Sequence, residues 1–145
     1  MKNSKVLKGF LIISGLLLTF IGGATLLMPV AMKTGSGINI AGNISVINDT
    51  RASSALLLAA ALLIISGAFS RKLVFTSSLI SFILFLSIGI GRIISIVTDG
   101  MPVDGLVKAT GLELVLGITG AILFIVNQEK KHLVTDLSQV KNLYL

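Results

Sequence analysis

The sequence predicts an all-α integral membrane protein, an up-down bundle of four transmembrane helices with both termini in the cytoplasm. Of its 145 residues, 54% are hydrophobic and 12% are charged, whereas about 25% of the residues of ordinary soluble domains are charged. The mean hydropathy of +1.00 agrees with this composition. A soluble core of this size does not hide so much apolar surface, so lipid must be the solvent.

Four apolar runs are long enough to cross the hydrocarbon core of a bilayer, which takes about 20 residues. We predict helices over residues 9–30, 52–69, 73–97 and 105–126. The first run follows a basic lead, as in a signal peptide. It is too long for a typical signal-peptide core and no clean cleavage site follows it, so we interpret it as a retained helix. Residues 1–126 are therefore predicted to form one transmembrane domain.

Residues 31–50 form the long connection between the first two predicted helices. Gly35, Gly37 and Gly42 interrupt any helical period in this stretch. An ordinary exposed loop and a structured cap over the bundle both fit the pattern. Asp49 or Thr50 can cap the helix that follows, because either side chain offers an oxygen to the free backbone N–H groups of a first turn.

The tail, residues 127–145, is polar but patterned. Leu133, Leu137, Val140 and Tyr144 recur at helical spacing, with lysines among the polar positions. This pattern predicts an amphipathic cytoplasmic helix that lies on an anionic membrane surface. A solvated tail without a fixed structure is the alternative.

The positive charges predict the orientation. The N-terminus, the second connection and the tail hold eight Lys and Arg residues, and the opposite side holds three. The first group comprises Lys2, Lys5, Lys8, Arg71, Lys72, Lys130, Lys131 and Lys141, and the second comprises Lys33, Arg51 and Lys108. Because segments rich in Lys and Arg stay in the cytoplasm, both termini are predicted to be cytoplasmic. This dispersal is typical of membrane topology and does not indicate a nucleic-acid partner.

The third predicted helix carries Arg92 in its interior. An arginine at the centre of a membrane helix costs about 2.5–3.5 kcal/mol on insertion scales, so another group must compensate for it. Glu113, on the fourth predicted helix, lies at about the same depth when each residue rises ~1.5 Å. We therefore predict an ion pair between Arg92 and Glu113, with Asp99 as a second candidate anion for the guanidinium.

Further polar residues fall on the same side of the membrane. Ser95 lies one turn from Arg92 on the same helical face, and Asp49 and Arg51 lie at the outer end of the second predicted helix. We predict a polar cluster in the outer leaflet, roofed by the long connection. The candidate ligand-binding residues are Arg51, Arg92, Ser95, Asp99 and Glu113.

Three interpretations of this cluster remain open. The ion pair can fix the bundle and do nothing more. Arg51 or Arg92 can hold a carboxylate or phosphate, since a guanidinium fork suits both. Glu113 can have a proton-coupled or catalytic role. We favour a protein that binds, or helps to move, a lipid head group or small anionic molecule, and the alternative is a structural or accessory membrane subunit. An enzyme comes third, with Ser95 as its one plausible nucleophile.

Several kinds of site are excluded or not predicted. The absence of cysteine excludes disulfides and thiolate metal sites. His132 has no second metal ligand nearby, and the chain contains neither a Gly-x-Ser-x-Gly motif nor a phosphate-binding P-loop. No cofactor or metal is predicted. The predicted partners are membrane lipids, a small anionic ligand, and a second copy of the chain or another membrane protein.

Three short motifs and one acidic residue resemble an uncharacterised bacterial family of small four-helix membrane proteins. The motifs are Asp49-Thr50-Arg51-Ala52, Gly91-Arg92-Ile93-Ile94-Ser95 and Asp99-Gly100-Met101-Pro102, and the acidic residue is Glu113. The resemblance covers roughly Met28 to Val126, and the family is similar in layout to the broader DoxX-like group. It implies a four-helix bundle in the bacterial inner membrane and supplies no activity.

Overall fold

The computed structural model describes residues 4–143, and the side chains of residues 4–128 among them. All regular secondary structure in the described residues is helical. The helices are α1 (Lys5–Leu27), α2 (Pro29–Gly35), α3 (Ile44–Phe69), α4 (Val74–Asp99) and α5 (Asp104–Leu143). Four helical segments are long and apolar enough to cross a membrane, namely α1, α3, α4 and the Asp104–Gln128 part of α5. The prediction of an all-α, multi-pass membrane protein is confirmed.

The first helix begins and ends earlier than predicted. The hydroxyl of Ser4 accepts a hydrogen bond from the backbone N–H of Leu7 at 3.1 Å, so a capped helix already begins at Lys5. Met28 leaves the helical conformation (φ −128°, ψ 62°) because the residue before a proline is disfavoured in a helix. Pro29 then occupies the first turn of α2, where its missing N–H costs nothing.

The connection between α1 and α3 is shorter and more ordered than the predicted 31–50 loop. α3 begins at Ile44, where Asn43 caps it by accepting a hydrogen bond from the backbone N–H of Val46 at 3.2 Å. Asp49 and Thr50 therefore lie inside α3 and do not cap it. The stretch between α2 and α3 packs on the bundle. A Cβ added to Gly37 (φ +80°) would lie 3.1 Å from the Val103 side chain, which agrees with a structured cap.

The second half of the chain forms two long helices joined by a tight turn. α4 ends at Asp99, followed by Gly100 at φ +98°, a conformation that favours glycine. α5 runs from Asp104 to Leu143 without a break at residue 126, the predicted end of the fourth span. The predicted amphipathic face of the tail rests on side chains outside the described residues.

The long helices pack as two close antiparallel pairs. In the first pair, a Cβ added to Gly22 of α1 would lie 3.0 Å from the Leu58 backbone nitrogen of α3. In the second pair, Gly89 of α4 faces Leu114 of α5, and Gly117 of α5 faces Leu86 of α4. A Cβ added to either glycine would lie 2.7 Å from the side chain of the facing leucine. Small residues allow this close approach, which drives helix association in lipid.

The buried core fills the half of the molecule nearest the α3–α4 turn. Its large members include Leu7, Leu11, Ile64, Val74 and Phe85. The hydroxyl of Ser77 donates to the Leu63 carbonyl at 2.5 Å and joins α4 to α3 there. Large apolar side chains cover the outside of the long helices, which is consistent with lipid contact. The opposite half contains cavities.

Candidate functional site

An ion pair joins α4 to α5 in the half of the molecule that contains the cavities. Arg92 Nε donates to Glu113 Oε2 at 2.8 Å, and the two side chains are 34% and 16% exposed. The close contacts at Gly89 and Gly117 hold the two helices near enough for these side chains to meet. The predicted pair is therefore formed, and neither terminal nitrogen (Nη) of Arg92 donates to another described residue.

Ser95 and Asp99 bond to each other. The Ser95 hydroxyl donates to Asp99 Oδ2 at 3.0 Å, one turn further along α4, and both side chains are exposed. Within residues 4–128, Glu113 is the carboxylate that Arg92 contacts, so the structure does not realise Asp99 as a second anion for the guanidinium. Ser95 still lines a small cavity together with Arg92.

Four neighbouring cavities share Arg92 as a lining residue. The first, about 340 Å³ in volume, lies between α1, α2, α3 and α4, and we call it the hydroxyl cleft. Its lining consists of Ile21, Thr25, Lys33, Asp49, Thr50, Ser53, Ser54, Leu57, Ile88 and Arg92. Ser53 donates to the Asp49 carbonyl at 2.9 Å and Ser54 to the Thr50 carbonyl at 2.6 Å. A hydroxyl bonded only to its own helix can rotate and donate to a ligand.

The second cavity, about 140 Å³, lies between α1, α3, α4 and α5, and we call it the apolar chamber. Its walls are Leu17, Leu18, Ile21, Leu57, Phe85, Ile88, Ala109 and Leu112, with the Arg92–Glu113 pair completing them. A third cavity of about 190 Å³, the cap cleft, lies beneath α2 and the residues after it. A fourth, of about 70 Å³, contains Ser95 and Pro102.

The structure brings Lys33 to the site and leaves Arg51 out of it. Lys33, on α2, lines both the hydroxyl cleft and the cap cleft alongside Arg92. From the sequence, this lysine was predicted only as a positive charge on the outer side of the membrane. The sequence did contain a signal for the position of Lys33, because Pro29 favours the start of a helix and Lys33 lies about one turn inside that helix. Arg51 is exposed and lines none of the four cavities.

The charged residues that line the hydroxyl and cap clefts are two cations and one carboxylate. Lys33 and Arg92 bring two positive charges, and Asp49 brings one negative charge. Glu113 is ion-paired with Arg92 on the side of the apolar chamber. No group of three or more His, Cys, Asp or Glu residues that could hold a metal ion occurs among the described residues. The arrangement can therefore bind and orient an acidic group.

Residues 6–124 match the family described as Domain of unknown function (DUF4345). The chain belongs to this family. Membership confirms the resemblance to an uncharacterised family and assigns no activity. The DUF4345 match contains Lys33, Arg92 and Glu113, so the whole ion-pair site lies inside the family's domain. No curated protein and no solved structure matches the chain.

Proposed function

We propose that this DUF4345 protein binds a carboxylate or phosphate group, free or carried by a lipid, between Arg92 and Lys33. One observation carries the proposal: Arg92 lines all four cavities but uses only its Nε in the bond to Glu113. A guanidinium with free Nη donors suits the two oxygens of an acidic group, and each such bond is charge-assisted.

The lining of the hydroxyl cleft supports an anionic ligand. Lys33 adds a second cation, and Thr25, Thr50 and Ser53 add hydroxyls that can donate to acidic oxygens. The negative charge of Asp49 reduces the attraction of the cleft for an anion, but its carboxylate can accept a hydrogen bond from a ligand hydroxyl such as that of a glycerol-like group. The ligand class is therefore an acid or a phosphate ester.

The proposed setting is the outer leaflet of a bacterial inner membrane. The positive-charge distribution supports cytoplasmic termini and an up-down arrangement of the four spans. Arg92 lies seven residues before Asp99, so it is about 10 Å below the outer end of α4 at ~1.5 Å per residue. Both clefts then face the outer half of the bilayer, within reach of a lipid head group, and from there the protein binds the acid or helps to move it.

A second function, as a structural or accessory subunit, is favoured by the ion pair itself. The 2.8 Å contact bridges α4 and α5, and a partly buried pair of this kind can hold helices in register without any ligand. The two functions differ in one respect: only a binding protein needs Lys33.

Native mass spectrometry of the protein released gently from membranes tests the binding function. Wild type is compared with Arg92→Gln and Lys33→Gln, and with Lys108→Gln as the control, since Lys108 is exposed and lines none of the four cavities. We expect wild type and the control to retain a bound acid or phosphate ester, and both cleft variants to lose it while remaining folded.

Two results would contradict the proposal. One is that wild type carries no acidic ligand even after incubation with lipid phosphates, and the other is that Lys33→Gln and Arg92→Gln retain the ligand as fully as the control does. Lys33→Gln is the decisive variant if Arg92→Gln unfolds, because Lys33 has no ion-pair partner among the described residues.

A further inference from the structure

We infer that the ligand is a single-chain anionic amphiphile whose head lies in the hydroxyl cleft and whose chain lies in the apolar chamber. This inference rests on the proposed function, because it places the acidic group at Arg92 and Lys33. It adds a second binding element, which is the chamber, and thereby names the class of ligand.

The two cavities adjoin each other at Arg92. Ile21, Leu57, Ile88 and Arg92 line both of them. The guanidinium therefore stands at the boundary between a polar space and an apolar space. A ligand that is charged at one end and apolar beyond it matches this boundary, whereas a small inorganic anion leaves the chamber unfilled.

The position of Glu113 keeps an acidic head out of the chamber. Its carboxylate lines the chamber and pairs with Arg92 Nε, so the charge on that side of the guanidinium is neutralised. The other charged residues that line these cavities, Lys33 and Asp49, belong to the hydroxyl cleft. A second carboxylate or phosphate entering the chamber would meet Glu113 and an aliphatic wall, so only the chain is favoured there.

The volume of the chamber favours one chain. At about 140 Å³ it is close to the ~150 Å³ apolar cavity that binds a benzene-sized molecule, so it holds a segment of about six carbons. Two acyl chains side by side do not fit this space. Leu112 lines the chamber and is also 48% exposed, so the wall reaches the lipid-facing surface there. The rest of a longer chain can leave past Leu112 into the bilayer.

The test compares probes that share a head group and differ in their chains. The probes are inorganic phosphate, dodecyl phosphate and a two-chain phosphatidate, each titrated by native mass spectrometry into the protein in a neutral detergent. The variants are Ala109→Phe, which fills the chamber, and Val115→Phe, which adds the same ring on an exposed face of α5. Leu112→Trp replaces Ala109→Phe if the latter does not fold, and Arg92→Gln tests the head group.

We expect dodecyl phosphate to bind wild type more than about tenfold more tightly than phosphate does, since several methylenes become buried. Ala109→Phe should remove this advantage and leave phosphate binding intact, and Val115→Phe should change neither. Arg92→Gln should weaken both ligands. The phosphatidate should bind more weakly than dodecyl phosphate.

The failures of the two proposals can be told apart. Equal binding of phosphate and dodecyl phosphate, or an equal effect of Ala109→Phe and Val115→Phe, overturns the chain inference and leaves the anion site standing. Phosphatidate binding as tight as that of dodecyl phosphate overturns the single-chain assignment. If no probe binds, or Arg92→Gln has no effect, the proposed function itself is wrong and the chain inference falls with it.

Discussion

Arg92 combines a structural bond with an open set of donors. Its Nε is bonded to Glu113, and its side chain is one-third exposed to the cavities around it. A half-buried arginine with a single carboxylate partner retains hydrogen-bonding capacity, because a guanidinium has five N–H donors. These unused N–H donors distinguish a residue that only holds helices together from one that can also bind a ligand.

The bond between Arg92 and Glu113 should be measurable as a coupling free energy. Arg92→Gln and Glu113→Gln are each expected to lower the free energy of unfolding by about 1–3 kcal/mol, since each leaves a charged group without its partner. The double variant should lose less than the sum by about 1 kcal/mol or more. Reversible unfolding in detergent measures all four proteins.

Arg51→Gln serves as the control for this cycle, because Arg51 is exposed and outside the site. Its effect on the free energy of unfolding should stay within about 0.5 kcal/mol. Additive effects of the Arg92 and Glu113 variants would show that the 2.8 Å contact contributes nothing to stability.

The residues of the site differ in how far the sequence could predict them. The Arg92–Glu113 pair was predictable, because depth along two consecutive spans follows from counting residues. Arg51 was predicted at the outer end of a helix over residues 52–69, whereas α3 begins at Ile44 and contains Arg51. Inside a helix, Arg51 lies about 200° around the axis from Asp49 and from Ser53, so it faces away from the cleft that they line.

At the scale of the elements, hydropathy predicted which segments span the membrane, and caps determined where they begin. Ser4 and Asn43 each accept a hydrogen bond from the first turn of a helix, and neither is part of an apolar run. Lys33 was missed for a related reason. Its position depends on α2, a seven-residue helix too short for a hydropathy pattern to reveal.

The contact between α1 and α3 gives a prediction about a single methyl group. A Cβ at Gly22 would lie 3.0 Å from the Leu58 nitrogen and 3.1 Å from the Ser54 carbonyl oxygen. Both are backbone atoms, which cannot rotate away as a side chain can. Gly22→Ala is therefore expected to lower the free energy of unfolding by about 1–3 kcal/mol through overpacking.

Gly23 provides the matched control for this substitution. A Cβ there meets nothing within 4 Å, so Gly23→Ala should raise stability by about 0.5–1 kcal/mol through its better helix propensity. Thermal unfolding in detergent compares the two variants. Equal shifts of the melting temperature would show that α1 and α3 do not approach as closely as the structure indicates.

At the scale of the whole molecule, the cavities lie where the two close helix pairs face each other. The glycine contacts draw α1 to α3 and α4 to α5, and the apolar chamber receives side chains from all four of these helices. At the other end the buried core closes the gap between the pairs. The molecule is therefore tightly packed near the α3–α4 turn and open near α2, which places the candidate site at a single end.

The membrane orientation determines which leaflet can supply the ligand, and single cysteines can measure it because the natural chain has none. Met101, in the α4–α5 turn, is 74% exposed and lies on the side of the cavities, whereas Ser70 lies in the turn between α3 and α4. With cytoplasmic termini, a membrane-impermeant maleimide should label Met101→Cys in cells while the membrane that contains the protein is intact, and label Ser70→Cys only after that membrane is opened. The cysteine-free chain gives the background signal. The reverse pattern would place Arg92 and Lys33 in the inner leaflet, and the amphiphile would then come from the cytoplasmic side. The distribution of Lys and Arg would in that case contradict the positive-inside rule that predicted the orientation.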